Sequence, residues 1–186
     1  MRRLALCVLV AACAKPVVPA MHGGEGLAPP PGTIVFVRPP SPCDTTDHAR
    51  IVDAEGHFIG ALGSGTWFSV ANVPGEQTFY VWPGLDLRLQ KYPEFQPVGA
   101  IKVRAGEDRV TYVGVRVSER HERQCWKYAV FHFTRPDAAE AEHWMGAAHE
   151  LVPDRAEGDA LLARDADVSR AYMEMSRARL EQRESK

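Results

Sequence analysis

RIVDAEGHFIGALGSGTWFSVANVPGEQTFYVW, residues 50–82, carries the clearest alternation of strand and turn residues in the chain. It begins as a hairpin, with the turn residues Asp53-Ala54-Glu55-Gly56 between Ile51-Val52 and Phe58-Ile59. A second strand pair follows, residues 66–70 and 77–82, joined through Asn72-Val73-Pro74-Gly75. Pro then Gly suits the central positions of a type II turn, because Pro presets φ and Gly accepts a positive φ. Four short β-rich runs separated by turn chemistry predict an all-β domain.

The same pattern extends to both sides. Thr33-Ile-Val-Phe-Val-Arg38 is apolar on both faces and stops at Pro39-Pro40, which predicts a central strand with a hard end. Residues 100–104, a turn at Gly106 and residues 109–117 follow as further strands, with Val113, Val115 and Val117 on one face. Residues 125–134 alternate on two covered faces, Trp126, Tyr128 and Val130 against Ala129, Phe131 and Phe133. Seven or eight strands at this spacing predict a mainly β chain, with an antiparallel β-sandwich over residues 33–134.

From residue 135 the apolar period changes from two to near 3.6, predicting a helical tail of two helices over residues 135–186. The first opens at Thr134-Arg135-Pro136-Asp137 and carries the stripe Ala141, Trp144, Met145, Ala148 and Leu151, ended by Pro153. Asp154 caps the second with Glu157 three residues on, and its stripe is Leu161, Val168, Tyr172 and Met175, interrupted by Asp165. Docking on the domain and docking on a partner both fit this second helix.

The first thirteen residues, MRRLALCVLVAAC, carry Arg2 and Arg3 before a nine-residue apolar run, residues 4–12. This has the form of a secretory signal, and it is short of the roughly 20 apolar residues that span a bilayer. Val10-Ala11-Ala12-Cys13 resembles a bacterial lipobox. The resemblance implies a signal peptide over residues 1–12, diacylglycerol on the thiol of Cys13 and an acyl chain, such as palmitate, on its new amine. An ordinary secretory signal cleaved after Ala14 also fits the small-x-small pattern. Ala14 in place of the Asp that holds enteric lipoproteins at the inner membrane implies an outer-membrane lipoprotein facing the periplasm. Residues 13–32 then read as the lipidated cysteine and a flexible Pro/Gly tether, reaching roughly 24 Å as a coil and up to about 59 Å if extended.

Cys7 leaves with such a signal, so Cys43 and Cys125 remain in an oxidising compartment, as a disulfide or as two buried thiols. A bridge would close a loop of roughly 80 residues, worth about 4 kcal/mol on the chain-entropy model. The formal charge of −2 becomes −4 without Arg2 and Arg3, which argues against a nucleic-acid partner. Residues 33–134 balance eleven basic against eleven acidic groups, whereas residues 135–186 carry eight against twelve.

Val52-Asp53-Ala54-Glu55-Gly56, Ile59-Gly60, Trp67-Phe68 and Val73-Pro74-Gly75-Glu76 resemble the pattern of PEGA-type and carboxypeptidase-regulatory-like sandwich domains. With Gly32-Thr33-Ile34-Val35-Phe36-Val37-Arg38 ahead of it, the chain is similar to a family of small bacterial lipoproteins with a domain of unknown function. The resemblance covers residues 33–134, implies a β-sandwich fold, and supplies no catalytic residues.

Candidate chemistry is sparse. His121-Glu122 and Cys125 lack the helical spacing of a zincin motif. Gly63-Ser64-Gly65 lacks the strand-to-helix setting of a nucleophile elbow. His132, His143 and His149 are not spaced as ligand pairs. No catalytic residue, metal site or cofactor is expected. The excursion over residues 83–97, with Trp82, Tyr92 and Phe95, reads either as an aromatic platform for a peptidoglycan or polysaccharide or as an edge strand blunted by Pro and charge. The expected function is therefore a lipid-anchored, non-enzymatic envelope role through a protein partner, engaged by the second helix or an exposed sheet edge. A glycan-binding module is the alternative, and an envelope enzyme a distant third.

Overall fold

The computed structural model describes residues 18–41, 48–83, 99–117, 131–164 and 166–185. Through these run ten strands and three helices: β1 (Met21–Gly23), β2 (Thr33–Arg38), β3 (Ala49–Asp53), β4 (Phe58–Leu62), β5 (Thr66–Ala71), β6 (Glu76–Pro83), β7 (Gly99–Arg104), β8 (Thr111–Val117), β9 (Phe131–Thr134), α1 (Ala138–Gly146), β10 (His149–Pro153), α2 (Arg155–Arg164) and α3 (Ala166–Glu184). The chain is mainly β with C-terminal helices, as the alternating runs predict, but the described residues hold ten strands where the sequence pattern suggests seven or eight.

Two sheets form, a six-stranded one in the order β1-β10-β5-β2-β8-β9 and a four-stranded one in the order β4-β3-β6-β7. The larger is mixed, not antiparallel as predicted: β2 runs parallel to β8 and β10 parallel to β5. Period-two alternation says which face a side chain takes and is blind to strand direction. Parallel neighbours need a crossover, and between β2 and β8 the chain builds the whole smaller sheet. Within that sheet the predicted β3–β4 hairpin forms, with Gly56 at φ of 93°, the left-handed region that favours glycine. The strands expected to pair across Gly75, whose φ is 109°, do not: β5 lies in the larger sheet and β6 in the smaller, so this turn carries the chain from one sheet to the other.

The sheets meet through one apolar core centred on Phe36 of β2. Its ring stacks on Phe68 of β5 at 5.2 Å and meets Phe79 of β6 edge-on at 5.0 Å, an offset and a T-shaped geometry that aromatic quadrupoles favour. Arg38, on the same face of β2, is only 1% exposed. Its guanidinium lies 4.9 Å from the Phe131 ring centroid, and Nη1 donates to the Leu62 carbonyl at 3.2 Å.

Both sheets are also apolar on their outer faces, and the helices cover them. On the smaller sheet, Tyr80 and Trp82 point away from the core that Phe79 and Val81 fill, because successive strand residues alternate. Tyr172 of α3 stacks on Trp82 at 5.5 Å, and Arg177 donates to the Ala54 carbonyl in the β3–β4 turn at 2.7 Å. Beside it α2 lies on Phe58 through Gly158, where an added Cβ would fall on the Phe58 ring. On the outer face of the larger sheet, Val35, Val37 and Trp67 are covered by Trp144 and Met145 of α1. The second predicted helix is two, α2 and α3, so the described tail has three helices where the period suggests two; both dock on the domain, with Gly158 and Leu162 of α2 and Val168, Tyr172, Met173 and Ser176 of α3 buried.

Two segments depart from the sequence reading. Leu151, counted in the first helical stripe, belongs to β10, because α1 ends at Gly146 and the HELVP run finds strand partners on both sides. Within the stretch read as a tether, Val18, Ala20 and Met21 are buried in the core and β1 pairs with β10. Asp154 ties this segment to α2: its Oδ1 accepts the Glu157 N–H at 2.9 Å, and its Oδ2 lies 3.4 Å from His22 Nε2. These contacts hold its carboxyl below the ordinary value of 3.8, the backbone hydrogen bond from Glu157 foremost and the His22 side chain next.

Gly158→Leu is expected to lower the unfolding free energy by about 1–3 kcal/mol through overpacking against Phe58, measured by urea denaturation. Gly146→Ala, where a methyl meets nothing within 4 Å, should instead be neutral or stabilising by up to about 1 kcal/mol. A carboxyl with a depressed folded pKa contributes stability above its unfolded value and loses it as pH falls through the folded one. Thermal melts from pH 5 downward should therefore show wild type losing stability below the ordinary Asp value of 3.8. Asp154→Asn should lose less over the same window.

Candidate functional site

The site forms where the covering of the core stops. In β7, Ile101 and Val103 face the core, 8% and 5% exposed, while Lys102 and Arg104 take the other face. β7 is the last strand of its sheet. A six-residue turn, Ala105-Gly-Glu-Asp-Arg-Val110, carries the chain across to β8. β9 pairs with β8 only between Gly114 and Val117. It stops there because Pro136 has no N–H to donate and Asp137 already caps α1, its carboxylate accepting the Glu140 N–H at 2.8 Å. Thr111–Val113 are thus left with β2 on one side and no described strand on the other.

Between that open edge and β7 lies a groove of about 810 Å³. Its floor is apolar, made by the half-buried Val110 and by the edge of the core, where Ile101, Val103 and Val113 close it from beneath. Its rim is cationic, from Arg104, Arg109 and Arg135. Arg135 Nη2 donates to the Lys102 carbonyl at 2.7 Å, which fixes its guanidinium over the β7 edge. Arg104 and Arg109 are exposed and make no ion pair with any described residue.

Lys102 bonds Glu184 of α3 and lies 3.9 Å from Glu76, so those two carboxylates and this ammonium offset one another. Its pKa is held above 10.5, chiefly by the hydrogen bond to Glu184; desolvation opposes this, and the Glu184, Glu76 and Tyr80 charges reinforce it. Tyr112, also in the groove wall, has its phenol raised above 10.0 by burial first and by Glu142 second, so it stays protonated at neutral pH. Arginine forks match carboxylates two N–H groups at a time, and an apolar floor between open edges suits an extended chain. The arrangement can bind an anionic extended ligand.

Two groups of potential ligand side chains gather elsewhere, His22 with Asp154 and Glu157, and Asp53 with Glu55 and His57. Local structure accounts for both. Asp154 caps α2, and Asp53 Oδ1 accepts the N–H groups of Glu55 and His57 at 3.0 and 2.8 Å, an Asx-type closure of the hairpin.

Of the residues singled out in the sequence, Cys13, Cys43, Cys125, Tyr92 and Phe95 lie outside the described residues, as do His121 and Glu122. Trp82 is fully buried beneath Tyr172 and offers no face to a sugar. Ser64 sits in the β4–β5 turn, where its Oγ accepts the Ser41 N–H at 2.9 Å. His132, His143 and His149 are exposed on three different elements.

The arginine rim was missed by sequence reasoning, since its members stand at 104, 109 and 135 in segments read only as strands and a helix start. The one local signal is Pro136, which marks where β9 must leave the sheet. Among the described residues no helix is long and apolar enough to cross a membrane. Compared with known protein families, curated proteins and solved structures, the chain matches none.

Proposed function

We propose that this chain is a lipid-anchored protein of the bacterial cell envelope, held through Cys13 at the periplasmic face of the outer membrane. Its role is non-enzymatic: it holds a protein partner in the groove between β7 and β8. The observation that carries the binding half is the pairing of an open strand edge with an arginine rim over an apolar floor. The tail helix that was the other candidate docking element has its apolar stripe spent on Trp82 and its neighbours.

The fold also supports an ordered relation between anchor and groove. Val18 packs on Gly63, at the end of the sheets where β4 turns into β5. Five residue steps separate it from Cys13, at most about 18 Å of chain. The groove lies at the other end of the strands, beside Ile34 and Thr111. A six-residue strand such as β2 separates the two ends by about 20 Å. The domain therefore sits close to the bilayer with its groove turned away from it.

A Cys43–Cys125 disulfide belongs to the same proposal. Ser41 and His48 flank the segment holding Cys43, and Val117 and Phe131 flank the segment holding Cys125. All four flanks lie at the anchor end of the strands.

Cys13→Ser is expected to shift the protein from the membrane to the soluble fraction and to abolish incorporation of labelled palmitate; retention with labelling would refute the anchor. For the partner, photocrosslinking in intact cells should give envelope-protein adducts with wild type that are lost in Arg104→Glu/Arg109→Glu. Unchanged adducts in that variant, with its melting temperature preserved, would refute the groove as the docking site.

A further inference from the structure

We infer that the groove takes an acidic, extended peptide segment, added as a strand along the open Thr111–Val113 edge of β8. This deepens the reading of the groove as a protein-docking site and rests on it. The first argument is the backbone. β8 carries β9 only from Gly114 onward, so the ladder positions beside Thr111, Tyr112 and Val113 have no described strand partner on that side. A peptide entering there continues the line that β9 abandons at Arg135-Pro136, and main-chain hydrogen bonds supply sequence-independent affinity.

Charge points the same way. Three arginines, Arg104, Arg109 and Arg135, line this one groove. Arg135 spends one N–H on the Lys102 carbonyl, and a guanidinium has five donors. Among the described residues that line the groove, Glu76 alone is a carboxylate, and it lies beside Lys102. Glu107 and Asp108 in the adjoining turn do not line it. The third argument is the floor, since alternate side chains of an added strand fall on one face, here Ile101, Val103, Val110 and Val113. A segment alternating apolar and acidic residues satisfies all three.

The test uses the soluble Cys13→Ser chain and an acetylated, amidated nine-residue peptide alternating valine and glutamate, with its valine-lysine counterpart as control. The acidic peptide should bind, weaken steeply between low and physiological salt, and protect the amides of residues 111–113 from hydrogen exchange. Arg104→Glu/Arg109→Glu should weaken it by about tenfold or more, with the melting temperature unchanged.

Equal binding of the lysine peptide, or binding without protection of residues 111–113, would overturn the inference. So would wild type that ignores the peptide but binds phosphatidylglycerol vesicles through the same arginines, or that self-associates through them. If the acidic peptide fails while the crosslinked partner is still lost in the double variant, the ligand chemistry is wrong and the docking site stands.

Discussion

Everything in this fold follows from a four-stranded sheet that is apolar on both faces. Along β6, Phe79 and Val81 enter the core shared with the larger sheet, while Tyr80 and Trp82 emerge on the opposite side, and all four are buried. A lone sheet of this kind would leave two large aromatic rings in water, at about 25 cal/mol for every Å² of apolar surface left uncovered. α2 and α3 supply the missing cover, with Gly158 settling on Phe58 and Tyr172 on Trp82. The tail is thus a layer of the domain and not an appendage. The larger sheet repeats the solution on its own outer face with α1 over Val35, Val37 and Trp67.

Among the described residues, the coverage of the sheets is interrupted at the groove. Pro136 ends β9 after four residues and Asp137 turns the chain into α1, which leaves the start of β8 and the edge of β7 facing each other across a gap. Sheets commonly guard such edges with charge, and arginines at 104, 109 and 135 fit that role as well as they fit an anionic ligand. What distinguishes this edge from a merely protected one is the apolar floor between the strands, which a guarded edge does not require.

Docking of the N-terminal segment shortens the free stretch that composition suggests. Composition alone makes residues 13–32 a tether of variable reach, but Val18, Ala20 and Met21 are buried and β1 completes the larger sheet. Strand β10, between α1 and α2, provides the partner for it. The two ends of the chain therefore stabilise each other through a three-residue ladder and the His22–Asp154 contact. If Cys13 carries lipid, the domain has little freedom to swing away from the bilayer.

The amino-acid order by itself determined the β-rich middle, the hairpin at Gly56, a change of direction at Gly75, and the helical character of the end, because these depend on side-chain period and on local φ preference. It also contained the β1 and β10 residues, yet MHG and HELVP are too short for periodicity to speak: β10 is a strand because β5 and β1 flank it, and β1 because β10 is there to pair with. Strand direction, the burial of Trp82 and the convergence of Arg104, Arg109 and Arg135 were decided by tertiary structure alone. Alternation is indifferent to direction, and an exposed ring differs from a covered one only by what packs on it. Three cations spread over thirty-two positions become a site only when β7, β8 and the end of β9 are brought to one edge.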